Sequence, residues 1–181
     1  MQQDTSYMDP QENEMASQAY LQQLKTTFDQ LPSEIPLFLF TAKGHEDVFT
    51  HSNREVIRAF RQLSDKIALR EYDLDHELAK KWKVTHSPTL LIAPEKYSIQ
   101  WLGAPMGEEA RTFLEILILI GMGKSQLSDQ SLKVIKRIDS DRRIKIFVSP
   151  TCPYCPQQAI NAVKAAIEMP ERISLEIVDI Q

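Results

Sequence analysis

Ile144-Lys145-Ile146-Phe147-Val148-Ser149-Pro150-Thr151-Cys152-Pro153-Tyr154-Cys155-Pro156 is the stretch on which the reading of this chain turns. Ile144, Ile146 and Val148 fall on every second position, the spacing of a strand with one buried face. The two cysteines follow in a proline-marked turn, and residues 155–167 read as a helix. Pro150, Pro153 and Pro156 suit a turn and a first helical turn, where a missing N–H costs little. The cysteine pair therefore sits where a strand hands over to a helix.

These are the only two cysteines among 181 residues. A bond between Cys152 and Cys155 closes almost no loop, so it restrains the unfolded chain little and a structural purpose is disfavoured. Disulfide exchange, by contrast, needs an attacking thiolate and a second thiol close enough to resolve the mixed disulfide. At a helix N-terminus the unpaired N–H groups and the dipole favour the thiolate, and thiol pKa values there fall from about 8.5 toward 3.5–7.5. Cys152 is then the exposed nucleophile and Cys155 the more buried resolving thiol. Half of a zinc site is a second reading, but structural zinc takes four ligands and the four histidines (His45, His51, His76, His86) lie in the other half of the chain. Inert buried cysteines are a third, against which the strand-turn-helix context argues.

The composition narrows the function classes. The net charge is -4 and no basic block stands out, so nucleic acid is not an expected partner. The start is polar and acidic, without the basic and apolar regions of a secretory signal. The longest apolar run, residues 113–120 broken by Glu115, is too short to span a bilayer. A cytoplasmic location, with no membrane partner, is the expectation.

Upstream, residues 1–14 read as a disordered lead-in. A helix is predicted over residues 14–31 from Ala16, Tyr20, Leu21, Leu24 and Phe28. A strand follows over residues 37–40, then a helix over 52–63 with Ser52 as N-cap. Next come a strand (67–72), a short helix (77–82), a strand after Pro88 (89–93) and its hairpin partner (97–102). A broad apolar helix over 108–120 is stopped by Gly121 and Gly123. The pattern then restarts with a helix (131–138), the strand already quoted, its helix, and a strand over 173–180. Laying the halves over one another matches Phe40 to Phe147, Ile67-Ala68-Leu69 to Ile173-Ser174-Leu175, and Asp73 to Asp179. His45-Glu46-Asp47-Val48 falls on the cysteine segment. One strand–helix–strand unit thus occurs twice, at an offset of roughly a hundred residues. The first copy runs on through a hairpin and a helix that the second lacks, so the second unit is expected to be incomplete and the chain a fragment of a longer protein.

Ser149-Pro150-Thr151-Cys152-Pro153-Tyr154-Cys155-Pro156 resembles the active-site segment of glutaredoxins and glutaredoxin-like protein disulfide oxidoreductases. The doubled arrangement is similar to the tandem thioredoxin-fold domain of those oxidoreductases and to the N-terminal domain of the alkyl hydroperoxide reductase flavoprotein. Val84-Thr85-His86-Ser87-Pro88-Thr89 resembles the turn where thioredoxin folds place a cis-proline, so Pro88 is expected to be cis. Leu102-Gly103-Ala104-Pro105-Met106-Gly107-Glu108 resembles the lead into the last helix of the first unit. The resemblance implies an α/β architecture of tandem thioredoxin-like folds, residues 15–123 forming a cysteine-free scaffold and residues 124–181 carrying the cysteines. It implies a thiol–disulfide oxidoreductase in which Cys152 attacks, Cys155 resolves, and Pro150, Pro153, Tyr154 and Pro156 support them. The implied partners are protein disulfides, a peroxiredoxin among them, and a flavoprotein reductase in cis or in trans.

Ile146 stands where thioredoxins carry a buried Asp. His86 adjoins the Pro88 turn and reads as structural, Asp73 and Asp179 as strand ends, and Trp82 and Trp101 as core. No glycine-rich phosphate loop occurs, so this segment is expected to bind no cofactor or metal itself, FAD and NAD(P)H belonging to a reductase domain or partner. A thioredoxin-fold binding or redox-sensing module without turnover is the alternative.

Overall fold

The computed structural model describes residues 10–42 and 47–180. The first helix, α1 (Pro10–Asp29), packs Leu24 and Phe28 into the core. It begins inside the expected lead-in of residues 1–14, of which residues 1–9 lie outside the described residues. Proline suits the first helical position because its absent N–H would have no partner. Next come β1 (Ile35–Thr41), α2 (Val48–Arg61), β2 (Ile67–Asp73) and α3 (Glu77–Lys81). The hairpin β3 (Thr89–Ile92) and β4 (Ser98–Leu102) leads to α4 (Glu108–Met122). Then follow α5 (Asp129–Ile135), β5 (Arg142–Val148), α6 (Cys155–Glu168) and β6 (Ile173–Asp179).

Two helix ends differ from the sequence reading. Asp47, not Ser52, caps α2: its Oδ1 accepts from the Thr50 N–H at 2.7 Å. That cap starts the helix four residues before Ser52, ahead of the apolar positions that mark its buried face. Gly121 does not stop α4. It lies inside the helix, where a Cβ would come within 2.7 Å of Leu31 Cδ1. Gly123, with φ +64, is the residue that ends it, its N–H reaching the carbonyls of Leu119 and Ile120.

All six strands join one sheet in the order β2-β1-β3-β4-β6-β5. β1–β2, β4–β6 and β5–β6 are parallel, and β3 runs antiparallel to both its neighbours. The parallel pairs β1–β2 and β5–β6 share one register. Ile35 faces Ile67 and Thr41 faces Asp73; Arg142 faces Ile173 and Val148 faces Asp179. Equivalent hydrogen bonds close both ends: Ile35 N to Lys66 O and Arg142 N to Arg172 O, then Leu74 N to Thr41 O and Ile180 N to Val148 O. A 14-residue helix joins the strands in each case.

The second pair does not stand apart from the first. β6 lies against β4, so the hairpin of the first unit borders the strands of the second. One broad core fills the face beneath α1, α2, α4 and α6, with Leu37, Leu39, Trp101, Phe113, Leu117, Val163 and Ile177 among its buried side chains. α4, apolar on most of its circumference, crosses this core and packs on α6. On the opposite face, among the described residues, α3 and the following turn cover Phe38, Phe40 and Leu91 beside β1, β2 and β3. Trp82 is half-buried against that smaller cluster, and Trp101 is fully buried in the larger. Among the described residues no helix is long and apolar enough to cross a membrane.

Candidate active site

β5 delivers the chain to the carboxyl edge of the sheet at Val148, which is buried, and the backbone turns there: the Cys152 N–H donates to Ser149 O at 2.9 Å. Tyr154 is the N-cap of α6, Cys155 its first residue, and Pro156 follows within the first turn. Cys152 and Cys155 are joined by a disulfide with their Cα atoms 5.5 Å apart. Both are half-buried, so the expected contrast of an exposed and a buried cysteine is smaller than the sequence suggested. The difference lies in what they touch: Cys155 packs on the main core, with its Sγ 3.8 Å from Phe147 O.

No side chain caps α6, whereas the equivalent helix α2 has the Asp47 carboxylate on its first turn. The first N–H groups of α6 thus remain available beside the sulfurs, an arrangement that favours a thiolate once the bond is reduced. Around the pair, Phe147, Tyr154 and Ile180 expose large apolar side chains, Tyr154 to 77%. Pro150 and Pro153 complete the turn, Pro150 half-buried and Pro153 exposed.

A carboxyl group that the sequence reading passed over sits beneath this edge. Glu109, in the first turn of α4, is 3% exposed, and neither carboxyl oxygen has a hydrogen-bond partner among the described residues. Burial first, and the charge of Asp179 second, push its pKa up to about 8. A lone buried carboxylate is costly, so the group holds its proton at neutral pH. Asp179 ends β6 opposite Val148, so it is more than a solvated strand end. Gly103 makes room for it: φ is +96, and a Cβ there would come within 2.6 Å of Asp179 Cβ. Gly107, the N-cap of α4, approaches Pro150, to which its Cβ would lie at 3.5 Å. Buried Asn53 ties α2 to the same edge by donating to Gly103 O at 2.7 Å. The family-like segment from Leu102 to Glu108 stops one residue short of Glu109.

The other sequence-selected residues lie elsewhere. The Ser87–Pro88 peptide is cis, and Ser87 Oγ accepts from the Ala42 N–H at 2.8 Å. His86 is exposed, its Nδ1 2.9 Å from Thr85 Oγ1. This turn precedes β3, two strands from β6, and belongs to the cysteine-free half. His45 and Glu46, overlaid on the cysteine segment, lie outside the described residues. Ile146 packs on the main core below the disulfide turn. Among the described residues, no group of three or more His, Cys, Asp or Glu side chains is placed to hold a metal ion.

No protein-family model matches the chain, nor does any curated protein. Solved structures do. The C503A mutant of the alkylhydroperoxide reductase AhpF from Enterococcus faecalis is 26% identical with a TM-score of 0.75, over 90% of this chain and 78% of that one. The NTD_N/C domain of the same protein is 27% identical with a TM-score of 0.74, over 90% and 79%. A protein disulfide oxidoreductase from Aeropyrum pernix is 21% identical with a TM-score of 0.71, over 87% and 73%. These are the two groups that the doubled arrangement resembles, and the chain shares their thioredoxin-like α/β fold; its own disulfide lies at the turn between β5 and α6.

Proposed function

We propose that the protein is a thiol–disulfide oxidoreductase whose redox centre is the Cys152–Cys155 pair. The observation that carries this reading is a lone disulfide at the strand-to-helix turn of a thioredoxin-like fold, beside an uncapped helix N-terminus. In the reduced protein the Cys152 thiolate attacks one sulfur of a substrate disulfide; an S–S bond forms, and the other substrate sulfur leaves as a thiolate. The Cys155 thiolate then attacks Cys152 Sγ, closing the internal disulfide and releasing the second substrate thiol. Two electrons pass to the substrate, and a reductase must return them.

Glu109, protonated at neutral pH and beside Asp179, is in this reading a proton donor, able to give its proton to a thiolate that leaves at this edge of the sheet. Protein disulfides are the substrates in this reading. The similarity to the alkylhydroperoxide reductase AhpF favours a relay role between a flavoprotein reductase and a peroxiredoxin. FAD and NAD(P)H then belong to the reductase, acting in cis or in trans.

Reduction of a model protein disulfide, driven by dithiol or by an NADPH-linked reductase, tests this. Cys152→Ser should fall to background, and Cys155→Ser should accumulate a mixed disulfide through Cys152. Equal rates for wild type and Cys152→Ser would sink the proposal and leave a binding or redox-sensing module.

A further inference from the structure

We infer that Asn53, in the cysteine-free unit, is a positioning residue for the redox centre of the other unit, holding Gly103 against Asp179 at the root of the disulfide turn. Its effect on the chemistry rests on the redox reading; its hold on Asp179 does not.

The two equivalent helices bury different kinds of side chain. The buried residues of α6 are Ala159, Ala162, Val163, Ala166 and Ile167, all apolar, whereas α2 buries Thr50 and Asn53 beside Ile57. A buried amide is costly unless its polar atoms are paired, so an apolar residue would be the simpler filling. Asn53, which is fully buried, donates through Nδ2 to Phe49 O at 3.0 Å and to Gly103 O at 2.7 Å. Its Oδ1 has no partner among the described residues. Both contacts are carbonyl oxygens, so only the NH₂ end of the amide can face them. The side chain is there as a donor.

Gly103 is held from its other side as well, its N–H donating to Pro88 O at 3.1 Å. The first unit thus fixes this residue twice, from α2 and from the Pro88 turn. Its φ of +96 suits glycine, and a Cβ there would come within 2.6 Å of Asp179 Cβ and 3.3 Å of Asp179 Oδ2. The Gly103 backbone is therefore packed directly on the Asp179 side chain. Asp179 faces Val148, the last residue of β5 before the disulfide turn, and the Ile180 N–H closes that pair by donating to Val148 O at 3.0 Å. Gly107 approaches Pro150 within the turn itself. One loop of the cysteine-free unit touches the redox unit at both points, and Asn53 anchors its first residue.

Asp179 carries the consequence further. It is the charge that acts on buried Glu109, whereas Thr50 and Asn53, the buried polar residues of α2, carry none. Releasing Gly103 lets the Asp179 carboxylate turn away from Glu109, and a carboxyl group relieved of a like charge loses its proton more readily. A residue that merely tied α2 to a loop would alter stability and leave that titration alone.

The test follows the Glu109 carboxyl by ¹³C NMR in the oxidised full chain, labelled at glutamate and assigned by the signal lost in Glu109→Gln. Asn53→Ala should lower its midpoint from about 8, by roughly half to one pH unit. Asn53→Ser, a milder change that keeps a hydroxyl donor, should lower it less and carries the test if the alanine variant does not fold. Gly103→Ala, which crowds Asp179 without touching Asn53, should move it in the same direction. Asp179→Asn should lower the midpoint at least as far as Asn53→Ala, and the two together no further. In reduction of a model protein disulfide, the pH at which the rate changes should fall in step with the midpoint. An unchanged midpoint in both Asn53 variants overturns the inference. So does an equal fall in the Asp179→Asn background, which would trace the effect to water entering beside Glu109. Turnover whose pH dependence ignores the Asn53 variants also overturns it. The expected midpoints in a protein that reduces no disulfide would instead end the redox reading and leave the hold of Asn53 on Asp179 standing.

Discussion

Phe40 and Phe147 occupy the same register position in the two halves of the sheet, yet one is fully buried and the other 57% exposed. Phe40 stacks on Tyr72 at 5.4 Å, pairs with Thr89 across β1–β3, and lies under the turn that follows α3. Phe147 has β6 on one side and no strand among the described residues on the other. β1 is therefore covered on both of its edges, whereas β5, in the half that holds the cysteines, is covered on one among the described residues. A ring packed on all sides contributes more to stability than one left partly in water. Both cysteines lie in the copy whose first strand has only one neighbour among the described residues.

Alanine at each position should expose that difference most sharply. Phe40→Ala removes a ring from a closed cluster and should cost about 3–5 kcal/mol, the range for large-to-small changes in a packed core. Phe147→Ala should stay within about 1 kcal/mol, as an exposed site does. Urea denaturation of the two variants measures both. Comparable losses would mean that the second half is enclosed in solution by something that does the work of β3.

The repeat was legible because its signals are local. Alternation in Ile144, Ile146 and Val148, the proline-rich turn, and the matching Ile67 and Ile173 segments need no knowledge of the rest of the chain. What was not legible depends on contacts between distant segments. No periodicity announces that β6 lies against β4, because any buried parallel strand would read as Ile173–Asp179 does. Glu109 was missed for the same reason: a glutamate opening a helix reads as an ordinary first-turn acid until α4 is seen packed across the core toward α6. Ser52 was preferred to Asp47 because it stands nearer the apolar face of α2, although Asp47 and Thr50 have the spacing of a side-chain cap.

The buried carboxyl gives the second comparison, between a pH-dependent group in one unit and the disulfide of the other. Glu109 titrates near 4.5 when unfolded and about 8 when folded. Between those values the folded chain keeps a proton that the unfolded chain has released, so stability falls as pH rises through the window. Glu109→Gln has no such proton to lose. Its thermal midpoint should gain on wild type from pH 4.5 to about 8, by at most about 1.4 kcal/mol per pH unit. Disulfide reduction by the same variant should lose its dependence on pH near 8. A variant stabilised equally at every pH would show that Glu109 is not held protonated by its surroundings.

The smallest effect concerns the two helix N-termini. Asp47 places a carboxylate on the first turn of α2, and α6 has no side-chain cap where its cysteines lie. If the bare N-terminus of α6 is what favours the thiolate, Tyr154→Asp should turn the second junction into a copy of the first. The new carboxylate would compete with the thiolate for the same N–H groups and the same dipole. A charge at a helix end contributes about 0.3–1 kcal/mol, so alkylation of reduced Cys152 at neutral pH should slow by roughly two- to fivefold. Tyr154→Asn keeps the capping oxygen without the charge, and should slow it less. Because Tyr154 is 77% exposed, neither change disturbs packing, and the difference between them isolates the electrostatic part. Equal alkylation rates in all three proteins would move the source of thiolate stabilisation away from the α6 N-terminus.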